Sequence, residues 1–570
     1  MHHSVNKIFL GILTGLLCFQ TVFSQPEIYS SFSIPELIYS GDPVLGNTGD
    51  QFLAAEIDLV PGKEFCFRSK NKLFVYSLTG TELWSVKISN PGGNGGAKHG
   101  AADVDGDGVP EVVAIDYPNQ IRIYNGPNRS LETSWIVNGL GEGQRVGHMA
   151  LVKLQNPNQT HYDIIVQTLD ATGENDGPGY YLNRSLIAMD LRNGKEIWRV
   201  TQDATSADGF YEGYWGQAHG PLFCADVDED GLDEVVGGNV IDHDGTSKMN
   251  DYPTFWVRSN NVNYVDHLDA ISVGDFRQDI PGLEWVICEE DNNDNIYYHT
   301  ALLSMSRGMI WRQMATSIQG LLGASKNFEP QNLVGGNFDL MSPQKEIWNR
   351  SRIGKNDAPS HTQLPWIYDA EGSLIAHYRA DETLGAGFNA SGNAEGIEMI
   401  WGIDWDGGPV EYLAGKARHA QGNIGVFDAM TGLPVWYTSR ELPSVRALMI
   451  YVADVTGDSR EEIIVEDSTS SGPVIRIYQN TATTKAIFEE NKWDDPLYMH
   501  LKQVWNYYSP GSYTRREEMY LTVKCYLEGA FDAGLSRMSE SLSVQARLPF
   551  QSPYSEDPET LTAIPAHATD

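Results

Sequence analysis

Three carboxylates at alternating positions, followed by glycine and a later glutamate, recur along this chain. Asp103-Val-Asp105-Gly-Asp107-Gly-Val-Pro-Glu111 is the sharpest copy, and Asp226-Val-Asp228-Glu-Asp230-Gly-Leu-Asp-Glu234 keeps every acidic position. Looser copies begin at Asp275 (with Asp279 and Glu284), Asn337 (Asp339, Glu346), Asp404 (Asp406, Glu411) and Asp454 (Asp458, Glu462). A hard cation such as Ca²⁺ takes about six to eight oxygens, and alternating side chains of a tight, glycine-bearing turn can wrap one. The glutamate falls at the ninth position, and Gly100-Ala-Ala-Asp103 and Glu111-Val-Val-Ala-Ile-Asp116 flank the first copy as short β-like runs rather than helices. The expectation is a strand-to-strand calcium loop, with Ca²⁺ as cofactor and chiefly structural.

A second set of groups could do chemistry of another kind. His99, His148, His219 and His267 each stand a few residues before an apolar strand-like run, with Arg145, Arg258, Tyr264 and Arg446 in the same zones and Tyr211, Tyr214 and Trp215 nearby. Imidazole serves as a base or acid near neutral pH, and arginine neutralises anions. Singly, each would be an ordinary buried or solvated residue. Together they describe a cationic, aromatic-lined cleft.

The elements that must position these groups follow from counting. Each acidic turn is followed by a hydrophobic strand and then by a strand, glycine turn and tryptophan-bearing strand, as in Phe74 to Trp84, Leu186 to Trp198, Leu303 to Trp311 and Val426 to Trp436. First strands near Glu56, Ala101, Ala150, Cys224, Ser272, Gly335, Gly402 and Val452 make eight units of about fifty to seventy residues. Four short strands per unit is a β-propeller blade, so the expected class is all-β, an eight-bladed β-propeller with calcium-binding Asp-rich turns. In that architecture the histidines meet at one rim of the central channel, and the acidic loops lie at the opposite face as braces.

Composition bounds the rest. A net charge of −36 over 570 residues argues against nucleic-acid partners. Lys7 and the apolar run Ile8 to Cys18, ending near Val22-Phe-Ser24, read as a signal peptide over 1–24, which implies secretion. No other apolar run is long enough for a transmembrane span. The propeller is expected over 25–514, and 515–570 as a closing strand (Leu521 to Tyr526) plus a Ser-, Pro- and Glu-rich tail. Cys66, Cys224, Cys288 and Cys525 have strand-like apolar neighbours that favour buried thiols. A monomer is expected.

The stretch from Gly216-Gln-Ala-His219 through Asp226 to Glu234, Val240-Ile-Asp-His-Asp-Gly245, Asp266-His267-Leu-Asp269 and Pro281-Gly-Leu-Glu284 resembles the bacterial propeller-type rhamnogalacturonan lyases. Asp454 to Glu462, Asp495-Pro-Leu-Tyr498-Met-His-Leu501 and Trp505-Asn-Tyr-Tyr508 form a second anchor, and Asp404 to Gly415 a looser third. Propeller-type ulvan lyases look broadly similar. The resemblance implies β-elimination in an acidic polysaccharide of rhamnose and uronic acid, with His219 or His267 as base, Tyr264 as acid and Arg258 clamping the uronate carboxylate. His99, His148, Arg145, Tyr214, Trp215 and Arg446 would support substrate. The alternative is a calcium-dependent glycan-binding or adhesion propeller without chemistry. A likeness of the Ala188 to Trp198 repeat to quinone dehydrogenases is a packing device.

Overall fold

Short runs of β-branched and aromatic residues, punctuated by Gly- and Asp-bearing turns, favour strands over helices. In the computed structural model the strands form eight antiparallel sheets. The structure describes residues 26–34, 52–69, 71–89, 97–169, 185–201, 222–248, 267–290, 299–314, 317–318, 328–339, 342, 344–353, 364–379, 397, 399–416, 423–438, 445–481, 491–505 and 510–514. All belong to one unit, Met1–Glu517. The expected signal peptide over 1–24 and the tail over 515–570 lie outside the described residues. Among those described, no helix is long and apolar enough to cross a membrane.

The blades begin with Phe52–Ala55, His99–Ala102, Arg145–Val152, Phe223–Ala225, His267–Gly274, Phe328–Gly336, Met399–Ile403 and Ala447–Ala453. These are the places where the repeat count put first strands. Successive first strands touch one another around the ring, which makes them the channel wall. The ring closes at its outer edge: Glu27–Ser33 pairs antiparallel with Gly472–Gln479, placing Glu27 opposite Gln479 and Ser33 opposite Val474. An N-terminal strand thus completes the last blade and joins the two ends of the array.

Adjacent blades are pinned by an indole that reaches the next hairpin. Trp84 Nε1 donates to Gly126 O at 2.6 Å, Trp135 to Leu191 O at 2.7 Å, Trp198 to His243 O at 2.7 Å and Trp311 to Ala370 O at 2.9 Å. The glycine after the docking point must have φ > 0 and no side chain: Gly245 has φ +85°, and a Cβ there would lie 2.9 Å from the Trp198 ring. At the closure Phe32 takes the tryptophan's part against Gly80.

A carboxylate at the start of the second strand locks the preceding turn in seven of the eight blades. Oε2 of Glu111 accepts from Val104 N, Glu234 from Val227 N, Glu284 from Phe276 and Arg277 N, Glu346 from Phe338 and Asp339 N, and Glu462 from Val455 N. The residue before this lock reaches back to the previous blade in three cases. Asp233 accepts from Lys153 N, Glu411 from Asn337 N and Glu461 from Asp404 N.

The channel holds a helix. Innermost strands present unpaired N–H and C=O groups along their free edge, and a buried edge needs partners. Asn491 caps a 3₁₀ turn, Lys492–Asp494, and Asp495 then caps the helix Pro496–Gln503, with proline in its first turn. Its side chains pair with the wall. Gln503 accepts from Ala101 N at 2.9 Å and donates to Ala101 O at 2.7 Å, while His500 Nε2 accepts from Cys224 N at 3.0 Å. Tyr498 OH accepts from Asp454 N at 2.7 Å, and Trp505 Nε1 donates to Phe52 O at 2.9 Å. The chain then returns beside the helix, where Ser512 Oγ accepts from Gly402 N at 2.7 Å and Tyr513 OH donates to Asp495 at 2.7 Å. Five blades are tied to this plug. Cys66, Cys224 and Cys288 are buried and in no disulfide, in keeping with their apolar surroundings.

Candidate functional site

Each first strand has two ends, and the two ends differ in chemistry. At the acidic end, the Asp103 turn is wound by its own backbone: Asp103 accepts from Gly106, Asp107 and Gly108 N, and Asp105 from Asp107 N. Asp103, Asp105 and Glu111 converge with ligand atoms within 4.8 Å of one another, as do Asp226, Asp228 and Asp230. Glu111 Oε1, Glu234 Oε1 and Asp226 Oδ1 are buried without a hydrogen-bond partner. An unpartnered buried carboxylate oxygen is costly unless a cation meets it. Burial pushes Glu111 up to about 8 and Glu234 up to about 10, so in the absence of a cation both would hold a proton at neutral pH. These two loops fit a divalent cation.

Some of the other acidic turns meet cations supplied by the chain, while Glu284 Oε1 and Glu346 Oε1 are buried without a hydrogen-bond partner as in the first two loops. Lys492 Nζ lies 2.9 Å from Asp404 Oδ2, both side chains being buried. Lys502 Nζ lies 2.8 Å from Glu461 Oε1, and although burial alone would raise Glu461, Lys502 and Lys492 hold it down at about 2. Asp279 is gripped by Arg277 at 2.7 and 3.0 Å. Asp406 accepts from Gly408 N and the Tyr412 hydroxyl. In the last blade Asp454 accepts from Gly457 and Ser459 N, Asp458 from Arg460 N, and Glu462 Oε1 from the Thr456 hydroxyl.

At the opposite rim stand the starts of the first strands. Four of them carry a register shift there: between Val146 and His148, Leu268 and Ala270, Pro330 and Asn332, and Ala447 and Met449. Bulges bend a strand and re-aim its side chains, and they concentrate beside active sites. His99 and His148 are each 1% exposed. His99 Nε2 sits 3.3 Å from Cys66 O, and burial, then the neighbouring Arg68, lowers it to about 3, so it stays a neutral wall residue. Arg68 itself is buried and donates to Lys98 O and Ser89 O. Arg145, half-buried, opens its strand, and Arg446, exposed, precedes the last one. His267 opens its strand opposite Glu290, its side chain outside the described residues. His219, Arg258, Tyr264, Tyr214 and Trp215 lie outside them altogether.

Between the plug and the walls of the second to fourth blades is a cavity of about 400 Å³, lined among others by His99, Lys153, Tyr162, Asp233 and His500. The plug and its lysines escaped the sequence reading. Their signal was the Asp495-Pro496 pair, a helix-capping residue before a first-turn proline, with Leu497 and Leu501 one turn apart.

Residues 177–383 match the family described as rhamnogalacturonan lyase family 11, C-terminal domain. Among curated proteins, rhamnogalacturonan endolyase YesW of Bacillus subtilis (strain 168) is 26% identical over 314 residues, 54% of this chain and 40% of that protein. Rhamnogalacturonan exolyase YesX of the same organism is 27% identical over 327 residues, 56% of this chain and 45% of that one. By sequence the chain thus spans less than half the length of the curated relatives it matches. The crystal structure of exotype rhamnogalacturonan lyase YesX superposes with a TM-score of 0.56 at 20% identity, over 82% of this chain and 81% of that chain. That of YesW gives 0.55 at 19% identity, over 86% and 84%. Shared sequence in the middle of the ring and a shared fold around it make this chain similar to the rhamnogalacturonan lyases.

Proposed function

We propose that this protein is a secreted polysaccharide lyase that cleaves rhamnogalacturonan by β-elimination and leaves an unsaturated uronate end. The observation that carries the reading is the family match over residues 177–383, which contains His219, Arg258, Tyr264 and His267. The proton at C5 of a uronate is weakly acidic, so a cation must neutralise the adjacent carboxylate before a base can remove it. Arg258 takes that part, His219 or His267 is the base, and Tyr264 protonates the departing glycosidic oxygen. His99 and His148 act from within the wall by shaping the rim, and Arg145, Arg446, Tyr214 and Trp215 hold the acidic, ring-rich substrate. Ca²⁺ in the Asp103–Glu111 loop, and a divalent cation in the Asp226–Glu234 loop, supply the positive charge that lets buried carboxylates stay ionised and brace the blades. Export through the 1–24 segment and a monomeric state complete the proposal.

Incubation with rhamnogalacturonan I backbone and with ulvan, with and without chelator, tests it through the ultraviolet absorbance of the unsaturated product. Absorbance growth on the rhamnogalacturonan is expected. Silence on both substrates with retained glycan binding would replace the lyase with a binding propeller. His219→Ala and His267→Ala separately are expected to show which is the base, by a loss of about 10²–10⁴-fold in rate; wild-type rates in both variants refute the assignment.

A further inference from the structure

The Asp226–Glu234 loop has a neighbour that its relative at Asp103–Glu111 lacks in its cluster, an imidazole. Asp230, Glu234 and His243 bring ligand atoms within 4.8 Å of one another, sharing Asp230 with the set that includes Asp226 and Asp228. His243 sits at the backbone position that receives the indole of the preceding blade, 2.7 Å from Trp198 Nε1 through its carbonyl. The same position holds Gly126, Leu191 and Ala370 where three other indoles dock, none of which has a side chain that can bind a metal. That docking and Gly245 hold the hairpin in place, so the ring is presented by a fixed backbone.

We propose that the fourth-blade loop is a mixed nitrogen–oxygen site for a divalent first-row transition ion, Mn²⁺ or Zn²⁺, bound by Asp230, Glu234 and His243, whereas the Asp103 loop is an all-oxygen calcium site. Glu234 is fully buried and its Oε1 has no partner, so a ligand oxygen is already aimed into the site. His243 Nδ1 lies 3.8 Å from Asp230 Oδ2, and 2.9 Å from Asp242 Oδ1 without the alignment of a hydrogen bond. In its neutral form, with the proton on Nε2, this ring can offer the Nδ1 lone pair to an ion. Imidazole is a good ligand for Zn²⁺ and its neighbours, while Ca²⁺ selects oxygen. Blade 2 offers no such nitrogen.

The inference rests on the reading of the acidic turns as cation sites and is independent of the lyase activity. Tag-free, full-length protein is stripped with chelator and titrated calorimetrically with Zn²⁺ and with Ca²⁺, alongside His243→Gln and Asp103→Asn. His243→Gln is expected to weaken Zn²⁺ binding at least about tenfold while leaving Ca²⁺ binding unchanged, and Asp103→Asn to do the reverse. Mn²⁺-loaded wild type should show ¹⁴N modulation in pulsed electron paramagnetic resonance, lost in His243→Gln. Equal Zn²⁺ affinity in His243→Gln and wild type, or no nitrogen coupling in the Mn²⁺-loaded wild type, overturns the proposal. Failure of the protein to bind either ion overturns the cation reading of the turns along with it.

Discussion

Replacing Gln503 by leucine tests the idea that the helix in the channel is held by the edges of the first strands. The glutamine amide satisfies both polar groups of Ala101, N–H at 2.9 Å and C=O at 2.7 Å, and residues 101 and 503 are 2% and 5% exposed. Leucine fills a similar volume but pairs with neither. Each buried group left without a partner costs about 1–3 kcal/mol, so the two together bound the loss at ~2–6 kcal/mol. Gln503 borders the 400 Å³ cavity, so water can reach part of the exposed edge. The expected loss is therefore in the lower half, ~2–3 kcal/mol. Chemical denaturation gives the total, and hydrogen–deuterium exchange of a peptide spanning 97–104 gives the location, where protection of the Ala101 amide should fall. Gln503→Glu keeps the acceptor for Ala101 N but sets a carboxylate against Ala101 O, and should also destabilise. A stability change under about 0.5 kcal/mol with unchanged exchange refutes the account of the plug.

Two further outcomes are expected. Without a bound cation, Glu111 and Glu234 have folded pKa values raised from 4.5 to about 8 and about 10. The folded protein then holds protons that the unfolded chain has released, so the stability they contribute is full below about pH 4.5 and drains as pH rises through about 8. Chelated protein should accordingly melt at lower temperature at pH 8 than at pH 5, and added Ca²⁺ should raise the Tm more at pH 8; a calcium increment independent of pH contradicts this. Lys492→Met removes the ammonium 2.9 Å from Asp404 and strands a buried carboxylate, at a cost of about 3–5 kcal/mol. Adding Asp404→Asn should recover most of it, and the absence of that recovery in a double-mutant cycle argues against the pair.

The eight-bladed ring was legible because its markers are local. Asp103, Gly106, Asp107 and Glu111 sit within one turn, and the glycine-to-tryptophan spacing from Gly194 to Trp198 recurs at Gly80 to Trp84 and Gly432 to Trp436, so the count survives without tertiary knowledge. Closure was not legible: Ile28 and Tyr478 are separated by almost the whole described chain, and nothing in Glu27–Ser33 states that its partner is Gly472–Gln479 rather than the first blade. The loop families also read as more alike than they are. From spacing alone Asp404 and Asp454 look like further calcium ligands, yet Lys492 arrives at Asp404 from 88 residues away.

Sequence by itself therefore determined the repeat, the turns, the acidic positions within them and the likeness to rhamnogalacturonan lyases, since each rests on residues a few positions apart. Only the tertiary structure decided which carboxylates meet an internal lysine or arginine and which keep an unpartnered oxygen. It also decided that His99 is a neutral wall residue and that a helix fills the channel. The physical reason is common to all three: burial and charge compensation depend on what packs alongside, and in a closed ring the neighbours that matter come from other blades and from the far end of the chain.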